Sequence, residues 1–200
     1  MRRRFALILA TLLVAGVTAA PAATESFVID PAHSSVTFRI RHLVGKTPGS
    51  FTDFGGTVTF DPADPTTGRV EATIQATSID THNDKRDDHL RSPDFFDAAT
   101  HPTITFKSTK VTRAGEAYKL SGDLTMHGVT KPVTLDLQVL GVGPGFAGKV
   151  AGFEARGVLQ RKDFGISWNR ALDAGSLVLG DEVEIVITVE AGVQTQAAAK

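Results

Sequence analysis

There is no cysteine among the 200 residues. Disulfides, Cys-ligated zinc, iron–sulfur clusters and thiol nucleophiles are thereby excluded. A surplus of one charge is also missing: 21 Lys and Arg face 22 Asp and Glu, a formal net charge of −1. Proteins that grip nucleic acid by neutralising phosphates need a basic excess, so no nucleic-acid partner is expected. Interfacial aromatics are scarce, with one Trp and one Tyr against 12 Phe. Outer-membrane barrels carry aromatic girdles at both interfaces, which disfavours that reading. What remains, 42% apolar and 22% charged residues, is the composition of an ordinary globular chain.

The one long apolar run is N-terminal. Arg2, Arg3 and Arg4 precede a stretch from Phe5 to Val17, and Ala20-Pro21-Ala22 forms an A-x-A-like site. This is a secretory signal pattern. The stretch is short for a membrane span, which needs about 20 residues. Residues 1–22 are read as a cleaved signal peptide, and the mature protein is expected in a bacterial periplasm. Cleavage removes three arginines and no acidic residue, moving the net charge from −1 to −4.

Beyond the leader the dominant period is two. Val36, Phe38 and Ile40 alternate with Thr37, Arg39 and Arg41. The same pattern recurs at Val70–Ala76, Thr103–Lys107, Tyr118–Met126, Val133–Val139, Phe153–Leu159 and Val183–Val189. Strands turn successive side chains to opposite faces, so each run has a dry and a wet side. Gly55-Gly56, Asp61-Pro62, Asp64-Pro65, Gly115, Gly128, the Gly141-to-Gly148 stretch and Gly180-Asp181 are read as punctuation between them. Seven or eight strands spaced in this way predict an all-β antiparallel sandwich or barrel. Residues 23–190 read as one domain and 191–200 as a flexible tail.

The segment Asn83–Ser92 (NDKRDDHLRS) is charged and does not alternate. Asn83 suits the cap of a short helix over Asp84 to Arg91, with Pro93 ending it. Such an insert would close one mouth of a barrel. The dry faces carry small residues, namely Ala72, Ala76, Gly122, Ala155 and Gly157. An eight-stranded barrel has room for side chains or for one small ligand. Either the small residues leave a hollow for an apolar guest, or Phe38, Phe106 and Phe153 fill it; composition leaves both open.

The six histidines (His33, His42, His82, His89, His101, His127) show no HExxH or other metal-ligand spacing. No metal site is expected. No GxSxG elbow occurs, so no catalytic residues are assigned.

Five segments make the chain resemble the YceI-like family of exported lipid-binding proteins. They are DPAHS (30–34) leading into FRIRH (38–42), RDDHLRSPDFFD (86–97), HPTITF (101–106), GDLTMHGVTKPV (122–133) and RKDFGI (161–166). The resemblance implies an extended eight-stranded antiparallel lipocalin-like barrel with the helical insert near 83–92. It implies a carrier that sequesters an isoprenoid lipid, of ubiquinone or polyprenyl phosphate type, without a catalytic cofactor. Family members also hold fatty-acid-type amphiphiles, and several pair as homodimers; transient membrane contact fits lipid exchange. Lipid contacts are then expected from the dry phase at Phe38, Ile40, Ile74, Phe106, Leu124, Leu135, Leu137, Phe153, Ile185 and Ile187. The irregular segments would add Leu90, Phe95, Phe96, Phe164 and Trp168. Arg86, His89, Arg91 and Lys162 are the candidates for the lipid head group. Three alternatives stand beside the carrier: an enzyme acting on a quinone or isoprenoid, a fatty-acid or amide binder of stress responses, and an interaction module with a packed core.

Overall fold

A computed structural model describes residues 24–171 and 177–193. The leader 1–22 lies outside the described residues. In chain order the strands are β1 (Glu25–Ile29), β2 (Ser35–His42), β3 (Gly45–Phe51), β4 (Phe54–Asp61), β5 (Asp64–Gln75) and β6 (Ile79–Asp80). Then follow the helix α1 (Asp84–Arg91), β7 (Thr103–Ala114), β8 (Ala117–Met126), β9 (Val129–Gly145), β10 (Gly148–Gln160) and β11 (Leu179–Val193).

All the strands belong to one sheet, ordered β1-β4-β5-β7-β8-β9-β10-β11-β2-β3-β6, and β1 also pairs with β11. That extra pairing closes an antiparallel barrel of eight strands. The long strand β11 makes the closure by changing partners along its length. Its N-terminal part pairs with β2, from Leu179↔His42 to Thr188↔Ser35. Its last residues pair with β1, with Phe27 opposite Val193. The strands β2, β3 and β6 continue the sheet from the N-terminal part of β11, and Val36, Phe38, Ile40 and Phe51 on them face the same interior.

The alternation is realised as inward and outward faces. On β9, Leu135 and Leu137 are buried while Thr134, Asp136 and Gln138 are exposed. The outward face carries cross-strand ion pairs such as Lys107–Glu71 at 2.9 Å and Lys149–Glu25 at 2.6 Å. This is the reverse of the apolar-out pattern of a membrane barrel.

Several expected breaks fall inside strands instead, Gly180-Asp181 in β11 among them. Gly55 and Gly56 lie within β4, where a side chain on Gly56 would strike the Glu71 carbonyl and sit 2.8 Å from Ala72 Cα. Glycine there permits close approach of β5, not a turn. Asp64-Pro65 opens β5, and Gly141, Gly143 and Gly145 all lie in β9. The barrel also passes the expected limit at residue 190. Ala191 is fully buried and β11 runs to Val193, because these residues seal the ring against β1.

The helix forms where the capping pattern places it. The Asn83 side chain accepts the Arg86 N–H at 3.0 Å, satisfying an otherwise free first-turn donor. Asp87, buried beneath the helix, accepts the Thr81 N–H at 3.0 Å and its hydroxyl. Arg91 donates to the carbonyls of Thr77 (2.8 Å) and Ile79 (2.9 Å).

Apolar packing divides into two groups, one at each end. At the closed-ring end Phe27, Phe60 and Phe153 stack in sequence with centroids 5.3 Å apart at each step. At the helix end Phe51, Ile79, Phe95, Ile104, Met126, Phe164 and Ile166 pack together. Phe27 is fully buried at the β1–β4–β11 junction. Phe27→Ala should cost about 3–5 kcal/mol in a urea titration. A loss below about 1 kcal/mol would show that β1 does not seal the ring.

Candidate functional site

Between the two packed ends runs a cavity of about 260 Å³. One buried water needs about 10–15 Å³, so this is far more than a packing fault. Val183, Ile185, Ile187 and Val189 all line it from a single strand, which spreads the lining over about 20 Å at about 3.3 Å per residue. Apart from Thr105 and Arg161, every lining residue is apolar or glycine. Many of these side chains, including Phe38, Ile40, Phe106, Leu124, Ile185 and Ile187, stay only half-buried. Each turns from the outer solvent yet lines the bore.

The small dry-face residues divide between the two readings that composition left open. Ala72 and Ala155 line the cavity. Gly122 does not leave space, because a Cβ there would lie 2.5 Å from the Phe106 ring and 2.6 Å from the Lys107 carbonyl. Gly157 is likewise covered by Leu135, with 2.6 Å to Cδ2. Ala76 is buried in the packed group at the helix end. The bore is hollow, but narrower than five empty positions would make it.

Of the residues expected to contact lipid, Phe38, Ile40, Ile74, Phe106 and Leu124 line the cavity, as do Leu135, Leu137, Phe153, Ile185 and Ile187. From the helical insert, Leu90, Phe95 and Phe96 also reach it. Phe164 and Trp168 do not. Phe164 is 2% exposed within the packed group. Trp168 packs tilted against the Phe95 ring at 5.2 Å and edge-on to the His89 ring at 4.8 Å. These two residues build the roof rather than face the bore.

The four head-group candidates are held by partners of the protein's own. None of Arg86, His89, Arg91 and Lys162 is among the lining residues. Arg86 donates from Nε to the Thr81 hydroxyl at 2.6 Å and from Nη2 to its carbonyl at 2.7 Å. Arg91 is spent on Thr77 and Ile79, and His89 faces Asp94 at 2.9 Å. Lys162 turns outward to Asp181 at 2.8 Å. Arg86 and Arg91 clamp the helix onto the segment from Thr77 to Thr81, whereas His89 is paired within the insert and Lys162 belongs to the turn after β10.

The charged group that does reach the bore is Arg161, the residue before Lys162. It is 3% exposed. It donates to the carbonyls of Gly180 (2.9 Å), Ile166 (2.9 Å) and Trp168 (2.8 Å) and to Asp181 Oδ1 (3.2 Å). Four of its five N–H groups are thus used by the protein. Burial lowers its pKa and Asp181 opposes that shift; the guanidinium stays charged. It ties the segment 166–168 to the start of β11 and so holds the roof. Sequence reasoning missed it because the turn Arg161–Phe164 has no alternation to tell inward from outward.

A closed antiparallel barrel around an apolar bore, roofed by one short helix, defines the class of lipocalin-like ligand-binding folds. The chain belongs to the YceI-like family, whose YceI-like domain profile matches residues 27–191. It is 46% identical over 164 residues to the protein YceI of Escherichia coli O6:H1, covering 81% of this chain and 82% of that one. Among solved structures it is similar to Burkholderia cenocepacia BcnA, with a TM-score of 0.72 and 29% identity over 81% of this chain and 98% of that one. A polyisoprenoid binding domain from Saccharophagus degradans, implicated in plant cell wall breakdown, shares the fold at a TM-score of 0.62 and 17% identity, covering 84% and 99% of the two chains.

Removing Arg161 would strip the Gly180, Ile166 and Trp168 carbonyls of its hydrogen bonds, while Asp181 keeps Lys162. Arg161→Met should cost about 3 kcal/mol or more in urea unfolding, since each buried acceptor left unsatisfied costs about 1–3 kcal/mol. Lys162→Ala, which breaks a half-exposed pair, should cost under about 1 kcal/mol. Equal losses would contradict the assignment of the roof to Arg161. The Lys162 hydrogen bond, followed by the attraction of Lys162 and Arg161, holds the Asp181 carboxyl below its ordinary value. A carboxylate depressed in the folded state stabilises fully above its unfolded value of about 3.9 and loses this as pH falls through the folded value. Asp181→Asn should therefore flatten that acid-side slope in a pH series of melts.

Proposed function

We propose that this protein binds and sequesters a long-chain isoprenoid lipid, of the ubiquinone or polyprenyl phosphate type, as an exported periplasmic carrier. The observation that carries the reading is the bore itself, elongated and lined by apolar side chains except at Thr105 and Arg161. Each CH₂ moved from water into such a lining gains about 0.8 kcal/mol, so a long tail binds tightly with little polar help. The polar head sits at the roof end, beside Arg161, the charged member of the lining among the described residues. The polyisoprenoid binding named for the Saccharophagus degradans neighbour supports the ligand class. The leader pattern of residues 1–22 supports export.

A binding role is favoured over an enzymatic one by the same lining. Its polar members are a threonine and a permanently charged guanidinium, and neither is a general base at neutral pH. A carrier returns its ligand unchanged.

The test is mass spectrometry of a solvent extract of protein purified without detergent. A long isoprenoid lipid at near-stoichiometric amount is expected. Repeated absence of any co-purified or exchangeable lipid would overturn the reading, and a fatty acid or amide in its place would redirect it to that ligand class. Ala155→Phe gives a second readout, since Ala155 lines the bore between Leu137 and Ile187. In a filled core such overpacking costs about 1–3 kcal/mol. Here the added ring should cost under about 1 kcal/mol and abolish lipid uptake; strong destabilisation with lipid retained would contradict a hollow barrel.

A further inference from the structure

The geometry points to a binding site for a divalent transition-metal ion of the zinc class, formed by Asp97, His101 and His127 outside the lipid cavity. The three are brought together from two loops, and their ligand atoms all lie within 4.8 Å of one another. None of the three is among the residues lining the bore, so the inference does not depend on the lipid reading.

Local backbone geometry creates the set. The His101 N–H donates to the Asp97 carbonyl at 2.8 Å. This hydrogen-bonded turn, opened by Asp97 in the left-handed region (φ +43°), brings the two residues together. His127 comes from the turn between β8 and β9, where Gly128 (φ +73°) follows it. A Cβ on Gly128 would lie 2.6 Å from His101 Cε1. Only glycine lets the His101 ring approach this turn, and the two imidazoles come to 5.2 Å between centroids.

The tautomer of His127 is determined by its partner. Its Nδ1 lies 3.0 Å from the Phe164 carbonyl oxygen, which can only accept. Nδ1 therefore carries the proton, and in the neutral ring Nε2 has a free lone pair. An imidazole oriented through one nitrogen by a backbone carbonyl, with the other available, is the arrangement metal-binding histidines use. Among the described residues, no side-chain hydrogen bond engages the Asp97 carboxylate or the His101 ring. Three half-buried groups with this chemistry are a ligand set without another task.

Two imidazoles and one carboxylate suit a borderline divalent ion and leave a coordination position for water. A second acidic and histidine group, Asp30, His33 and Glu190, differs in kind. There His33 Nδ1 is already paired with Asp30 at 2.8 Å, and His33 and Glu190 are exposed. It serves as the control. An ion at the first site would join the 97–101 turn to the β8–β9 turn and, through His127, to the Arg161–Phe164 turn that supports the roof.

The test is calorimetric titration of the chelator-stripped full chain with Zn²⁺ alone. One ion per chain is expected. Its affinity should fall more than tenfold in His101→Ala and in Asp97→Asn, and stay within twofold of wild type in His33→Ala. No binding by wild type would overturn the proposal, as would equal affinity in the site variants or loss of binding in His33→Ala. X-ray absorption of the zinc-loaded wild type requires no variant to fold. Two imidazole ligands in the shell would support the site, and one or none would overturn it.

Discussion

A β-strand offers its side chains alternately to two sides, and closing a sheet into a ring turns one of those sides into an enclosed space. Everything distinctive about this protein follows from that constraint. Eight strands set a fixed girth, and the inward residues must either fill it or leave a bore. Closure depends on β11, which serves β2 with its first half and β1 with its last residues. Without β1 the ring would have free edges, and the dry face would be open to water. With it, the apolar residues of every strand share one interior.

That interior is filled only at its ends. At one end the Phe27, Phe60 and Phe153 rings stack into a floor. At the other, the helix and the turn after it lay Leu90, Phe95 and Phe96 over the opening, and Arg86, Asp87 and Arg91 hold the helix there. Arg161 is the counterpart on the opposite side of the roof, a buried cation whose bonds go to the backbone it organises. Charge at the helix end thus serves architecture, and the bore between is left to apolar contact.

Much of this was legible in the chain because it depends on period. Val36-Phe38-Ile40 and Leu135-Leu137 announce which side is dry, and Asn83 announces where a helix starts. Ten strand residues and three insert residues expected to meet a ligand do line the bore, since alternation and the insert's position determine their side. What could not be read depends on contacts distant in sequence. Gly55-Gly56 looks like a turn until β5 is seen pressing against it. Lys162 and Arg161 are neighbours of equal charge, and only the turn they sit in decides which is buried. Asp97, His101 and His127 come from two loops, and no local spacing announces them. The tail residues 191–193 look featureless, yet they close the barrel because β1 lies opposite.

The central claim is an empty apolar bore of finite length. Titration calorimetry with straight-chain alcohols of increasing length tests it most directly. On this account affinity rises roughly fourfold per added methylene, the equivalent of about 0.8 kcal/mol, and levels off once the chain outgrows the bore. An affinity that does not change with chain length would show that the interior admits no guest, and the account would fail.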